Sequence, residues 1–197
     1  MNFGKDIINI DLECTSSDRY KGSICEIGAV LMNKDSLNIY SEFQSLIKPY
    51  RYYFEEKAMK CHGITIEELN KAPALEQVLN NFQSWIIKDG KKRNEKEVYL
   101  MAFGAYFDIK YLNEAYNFLN RVWPFDFRDW DIKGILRWEY GLQGIPYKGG
   151  LQTISKALGI PFEGTAHRAL ADARQGALIL KEIARLRINK LPLPKLR

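Results

Sequence analysis

The chain has 197 residues, 46% of them hydrophobic and 27% charged, enough for one globular domain with a full core. Its three cysteines (Cys14, Cys25, Cys61) lack any CxxC spacing, which argues against a zinc ribbon or disulfide scaffold and for a reducing compartment. Lys and Arg outnumber Asp and Glu by 29 to 24, and the net charge of +5 suits a polyanionic partner.

Residues 6–14 (DIINIDLEC) alternate as a strand does and end in the turn-prone TSSD. Before them, MNFGK places a charge where a signal peptide needs an apolar core. No run approaches the roughly 18 apolar residues that span a bilayer, so the expectation is a cytoplasmic protein without membrane contact. Segments 23–32 (SICEIGAVLM) and 38–47 (NIYSEFQSLI) read as two more strands. Short polar connections make the three an antiparallel meander, closed by Pro49. One or two helical turns are expected over 54–60, broken at His62-Gly63, and Thr65 with the glutamates of TIEEL can cap another. Over 74–88 the positions Leu75, Val78, Leu79, Phe82, Trp85 and Ile86 follow the spacing of an amphipathic helix. DGKKRNEKE is a charged loop, and VYLMAF (98–103) a buried strand. Helical pattern resumes near Asp108 and runs to about residue 119. Two further helices cover 129–140 and 151–158, each ending near a glycine, and a last one covers 166–186. Without repeats or a composition shift, residues 1–190 form a single domain, and 191–197 (LPLPKLR) a proline-containing C-terminal tail on the surface. The order of elements is a mixed α/β layout with one sheet covered by helices.

Three acidic features stand out. In Asp11-Leu12-Glu13, residues i and i+2 of a strand project both carboxylates to one face, where they repel unless a cation or proton lies between them. Read singly, such a pair also fits a fraying strand end. Asp108 follows an apolar strand, a place where an acid often caps a helix. Asp172 lies among Ala169, Leu170, Ala171 and Ala173, on a surface so apolar that a carboxylate needs a partner or a metal. Five residues earlier, His167 would not share its helical face, and fits better at the helix mouth. Four carboxylates are hard oxygen ligands suited to two Mg²⁺ or Mn²⁺ ions, whose charge they balance. Such a pair clamps the attacking and leaving oxygens of a phosphodiester displacement, and an imidazole exchanges protons near neutral pH.

In this order DLECT, FGAYFD and HRALADA resemble the three motifs of the DEDDh family of 3′–5′ exonucleases, with the His-to-Asp spacing of its histidine subtype. The resemblance spans about residues 6 to 186 and implies an RNase H-like fold: a mixed β-sheet, antiparallel meander plus parallel strands, covered by helices on both faces. It implies that Asp11 bridges two metal ions, that Glu13 and Asp172 complete one site, that Asp108 supports the other through water, and that His167 is the general base. CHGIT, with His62 and Gly63, resembles the family's loop beside the terminal nucleotide, and Thr15 a position that contacts the 3′ end. GGLQTISKALGIPFEGTAHRALADA and FRDWDIKGIL look most like the Eri-type, RNA-processing branch. Phe103-Gly104-Ala105 departs from the second motif, which often carries a polar residue there. The implied reaction is hydrolysis from the 3′ end of single-stranded nucleic acid, RNA favoured over DNA, releasing nucleoside 5′-monophosphates. A DNA exonuclease of proofreading or repair, a small-nucleotide phosphodiesterase and a non-catalytic nucleic-acid-binding module are the alternatives. Asp126, Asp129 and Asp131 are read as acids of a helix N-terminus, and Trp85 and Trp138 as core residues.

Overall fold

A run of β-branched and apolar residues at the N-terminus forms the central strand of a five-stranded sheet. The computed structural model describes residues 2–92, 94–126 and 129–196. Strands β1 (Asp6–Cys14), β2 (Ile24–Met32) and β3 (Ile39–Leu46) pair antiparallel in sequence order. On the other edge of β1, β4 (Val98–Ala102) and the two-residue β5 (Trp130–Asp131) pair in parallel. The sheet order is therefore β3-β2-β1-β4-β5, and the mixed RNase H-like sheet expected from the sequence is the one observed. β5 was not anticipated, since two residues carry no alternation to read.

Helices cover both faces. Ile8, Ile10, Leu12 and Cys14 of β1 point into a core completed by α3 (Leu75–Asp89) and α4 (Ala105–Phe118), with Phe82, Trp85 and Tyr111 among its members. Ile7, and Val30 and Met32 of β2, point the other way. They meet α5 (Ile132–Leu142), α6 (Leu151–Ala157) and α7 (Ala169–Ile188) through Leu136, Tyr140, Ile154 and Ile179. Two short helices, α1 (Glu56–His62) and α2 (Ile66–Lys71), lie between β3 and α3. α1 ends at Gly63 with φ of 68°, and α2 is capped reciprocally by Thr65 and Glu68. Cys14 and Cys25 are buried free thiols, and Cys61 on α1 is exposed.

Several boundaries differ from the sequence expectation, each for a local reason. α4 begins at Ala105, ahead of Asp108, because Gly104 takes φ of 103° and turns the chain sharply out of β4. α5 begins at Ile132, where the Asp131 carboxylate accepts the Lys133 N–H (2.9 Å) and the Gly104 N–H (3.0 Å). α7 begins at Ala169, which leaves His167 outside it at φ of 61°. Trp85 is buried as expected, but Trp138 is 67% exposed: α5 buries Ile132, Leu136, Glu139 and Tyr140, and Trp138 faces away from them. The C-terminal segment is not wholly on the surface, because Leu193 is buried among the α5–α7 residues and its N–H donates to Gln143 Oε1 (3.1 Å). Arg93 of the charged loop, and Phe127 and Arg128 of FRDWDIKGIL, lie outside the described residues. No helix among the described residues is long and apolar enough to cross a membrane.

Candidate active site

Asn9, Asp11 and Glu13 share the face of β1 that looks toward α7. Asn9 donates to the Ala173 carbonyl (2.7 Å) and so ties the helix to the strand. Opposite Asp11 in the β1–β2 pair is Gly28. A Cβ there would fall inside van der Waals contact of the Ala169 carbonyl carbon and the Leu170 nitrogen, so the first turn of α7 crosses the sheet at the one position in β2 without a side chain. That crossing carries Asp172 to the two acids of β1. Asp108 arrives from the opposite side. β1 pairs with β4 as far as Ile10–Ala102, and beyond that point the Leu12 N–H donates to Asp108 Oδ1 (3.0 Å). The carboxylate thus replaces the strand that has ended.

The four carboxyls come together at electrostatic cost. Burial pushes Asp11 well above the usual carboxylate range, and the charges of Asp108, Glu13 and Asp172 push it further. Glu13 rises to about 8 through burial and the charges of Asp172, Glu26 and Asp108. Asp108 rises to about 7, with burial dominant over the Leu12 N–H that favours its anion. Asp172 is raised by burial against the opposing charge of His167. One oxygen of Asp172 accepts the His167 N–H (3.3 Å), while the other, Oδ1, is buried with no hydrogen-bond partner among the described residues. Ligand atoms of Glu13, His167 and Asp172 lie within 4.8 Å of one another. An orphaned carboxylate oxygen beside repelling acids is an arrangement that a divalent cation would relieve, and these oxygen donors suit Mg²⁺ or Mn²⁺. The exposed Cys61 thiol is near enough for its pKa to be raised, by partial burial first and then by the charges of Glu13 and Asp172.

Glu26 was not singled out from the sequence. It is wholly buried, opposite Glu13 in the strand pair, and accepts from Arg168 Nε (3.0 Å) and Nη2 (2.8 Å), the Ala169 N–H (3.0 Å) and Gln44 Nε2 (2.7 Å). Burial opposes its ionisation, but these donors prevail and hold the carboxyl below its ordinary range. The pair fixes the backbone on both sides of the α7 entrance, and with it the left-handed turn at His167. A lone charge in the otherwise apolar SICEIGAVLM was the available signal.

Of the three residues expected beside a substrate, two are buried. His62 is 7% exposed, its Nδ1 accepts the Ile64 N–H (3.0 Å), and its Nε2 lies 3.6 Å from Cys25 Sγ. The ring is committed to the interior because the end of α1 turns it under the loop. Thr15 is buried too: its N–H and hydroxyl oxygen are engaged by Ser23 (both 2.9 Å), and its carbonyl accepts the Glu55 N–H (2.7 Å). Gly63 alone of the three is exposed. In the discounted acidic cluster, Asp131 caps α5 and Asp126 pairs with Lys5 (3.2 Å).

The model of a family described as "Exonuclease", RNase T, matches residues 8–180. The chain is 26% identical over 218 residues to "ERI1 exoribonuclease 2" of Homo sapiens, covering 96% of this chain and 30% of that protein. It is 28% identical over 193 residues to "3'-5' exoribonuclease 1" of Rattus norvegicus, covering 92% and 54%. It therefore spans about a third to about half the length of these curated relatives. Among solved structures, the nuclease domain of 3'hExo, a DEDDh family member bound to rAMP, superposes with a TM-score of 0.75 at 24% identity, covering 97% of this chain and 96% of that one.

Proposed function

Since this chain belongs to the exonuclease (RNase T) family, we propose that it removes nucleotides from the free 3′ end of single-stranded nucleic acid, RNA in preference to DNA. The observation that carries this reading is the convergence of ligand atoms of Glu13, His167 and Asp172 within 4.8 Å, with one Asp172 oxygen left unpartnered among the described residues.

Asp11, Glu13, Asp108 and Asp172 would hold two Mg²⁺ or Mn²⁺ ions, which when bound supply positive charge to the attacking and leaving oxygens. His167, exposed at the mouth of α7, would take a proton from the attacking water. The water oxygen bonds to phosphorus as the bond to the 3′ oxygen of the preceding nucleotide breaks. That oxygen takes a proton from solvent water to become the new 3′-hydroxyl, and a nucleoside 5′-monophosphate departs. Glu26 and Arg168 act through position, holding His167 where its ring can face Glu13 and Asp172. Thr15 and His62 shape the loops around the 3′ end from inside, and exposed Gly63 is the member of that group open to a nucleotide. The preference for RNA rests on the two curated relatives named as exoribonucleases.

The test is a time course on 5′-labelled single-stranded RNA and DNA of equal sequence with Mg²⁺, Mn²⁺ or EDTA. A ladder shortening from the 3′ end is expected with either metal and none in EDTA. Asp11→Asn should abolish it, and His167→Ala should slow it by roughly 10²- to 10⁴-fold. Faster loss of DNA would reverse the sugar preference. No shortening of either strand by the wild-type protein would leave only a binding module.

A further inference from the structure

Four tyrosines project into solvent from segments joined in the chain or by hydrogen bonds to the strand and helix that carry the acids, and the hydrolysis described above uses none of them. Tyr20, Tyr52, Tyr53 and Tyr106 are 63%, 71%, 47% and 72% exposed. They belong to the loop after β1, the segment leading into α1, and the first turn of α4. Two of these segments continue the elements that carry the acids: the loop follows Glu13 and Cys14 at the end of β1, and Tyr106 lies two residues before Asp108 on α4.

Hydrogen bonds fasten the three segments into one rim. The Tyr111 hydroxyl of α4 donates to the Ser16 carbonyl (3.0 Å), and Gly22 leaves room for it, since a Cβ there would collide with that hydroxyl. Arg51 Nη1 donates to the Arg19 carbonyl (2.8 Å). Glu55 accepts from the Ser17 N–H (2.9 Å) and from Ser16 Oγ (3.1 Å). The exposed rings thus sit on a tied frame, where little ordering entropy is left to lose when something stacks on them. Arg19 lies among them: its guanidinium is 4.6 Å from the Tyr20 ring centroid, donates to the Tyr20 hydroxyl (2.9 Å), and also hydrogen-bonds Tyr106.

We propose that this rim is a stacking platform for the single strand just upstream of the terminal nucleotide, with bases on Tyr20 and Tyr106 and a backbone phosphate on Arg19. The proposal rests on the reading of the acidic cluster as a 3′-end site. Rings interleaved with a guanidinium suit single-stranded nucleic acid, because every base has a face to stack and every linkage a charge to meet. The chain's net charge of +5 agrees with such a partner.

The test is fluorescence anisotropy with a fluorescein-labelled 20-nucleotide uridine strand in EDTA, which needs no turnover. Tyr20→Ala and Tyr106→Ala are each expected to weaken binding by roughly 5- to 150-fold, the range for loss of one stacked base. Arg19→Ala should reduce the slope of log affinity against log salt by about one phosphate contact. Trp138→Ala, which removes an exposed ring on α5, serves as the control and should bind as wild type does. Unchanged affinity in the tyrosine variants would overturn the platform even if the protein shortens RNA. Binding that needs both tyrosines without any shortening of RNA would uphold the platform and sink the hydrolytic reading. No binding by the wild-type chain would overturn the platform and leave the hydrolytic reading to the ladder assay.

Discussion

Asp11 sits where a carboxylate is hardest to ionise, buried and within reach of four other acids, Asp108, Glu13, Asp172 and Glu26. The sign of the resulting pH dependence follows from proton counting. Asp11, Glu13 (about 8), Asp108 (about 7) and Asp172 all titrate higher in the folded chain than the roughly 4 of an unfolded one. The folded state therefore binds more protons across that interval, and in EDTA stability falls as pH rises from about 4 through about 8. Mg²⁺ should raise the melting temperature more at pH 8 than at pH 5. In EDTA at pH 8, Asp11→Asn should melt above wild type, by roughly 2–4 °C for each kcal/mol of repulsion removed in a chain of this size. A variant that melts lower under those conditions would mean that the acids are not in conflict. At this scale the sequence was most legible where geometry is short-range. The two-residue period put Asp11 and Glu13 on one face, and the five-residue interval put His167 at a helix mouth rather than on Asp172's face. Glu26 and the inward turn of His62 were not legible, because each depends on a partner distant in the chain, Arg168 in one case and Cys25 in the other.

Between elements, the decisive contact is α7 against the sheet. Its register depends on Gly28, where an added methyl would strike backbone atoms of Ala169 and Leu170 that have no rotamer to yield. Gly28→Ala should therefore cost about 1–3 kcal/mol or more in stability. It should also lower turnover out of proportion, because displacing α7 carries Asp172 away from Asp11. Calorimetry and the ladder assay on one preparation check this, and wild-type values in both would refute it. The three meander strands match their sequence bounds to within a residue: β3 alternates between half-buried and exposed positions, while β1 and β2, buried along almost their whole length, are apolar runs bounded by turn-prone polar segments. α7 starts at Ala169 rather than at the expected Ala166, although Ala166 to Arg168 include no helix-breaking residue. What ends the helix there is Glu26 drawing Arg168 and the Ala169 amide onto β2. Periodicity contains no such information.

Across the whole molecule, two apolar layers meet on one twisted sheet, and the acidic cluster opens at the ends of β1 and β4, between α4 and α7. The α5–α7 layer is closed by the C-terminal segment, expected from its sequence to be a tail on the surface. Leu193→Ala should cost about 2–5 kcal/mol, as for a buried leucine elsewhere, whereas a peripheral tail would show a change within about 0.5 kcal/mol. Denaturant midpoints at unchanged slope would distinguish the two. A mixed sheet of meander plus parallel strands could be anticipated from hairpin lengths and family motifs, β5 apart, but the tail's docking could not, because it rests on Leu193 and Leu196 meeting the α5–α7 core and one amide bond to Gln143, all distant in the chain. The cysteines carry a consequence of another kind. Cys14 and Cys25 are sealed in the core, while Cys61 is open on α1 within electrostatic reach of Glu13 and Asp172. The molecule is thus already fitted with one addressable attachment point beside its acidic cluster. A dye coupled there would report the arrival of cations or of a strand as a change in its emission, with no residue substituted.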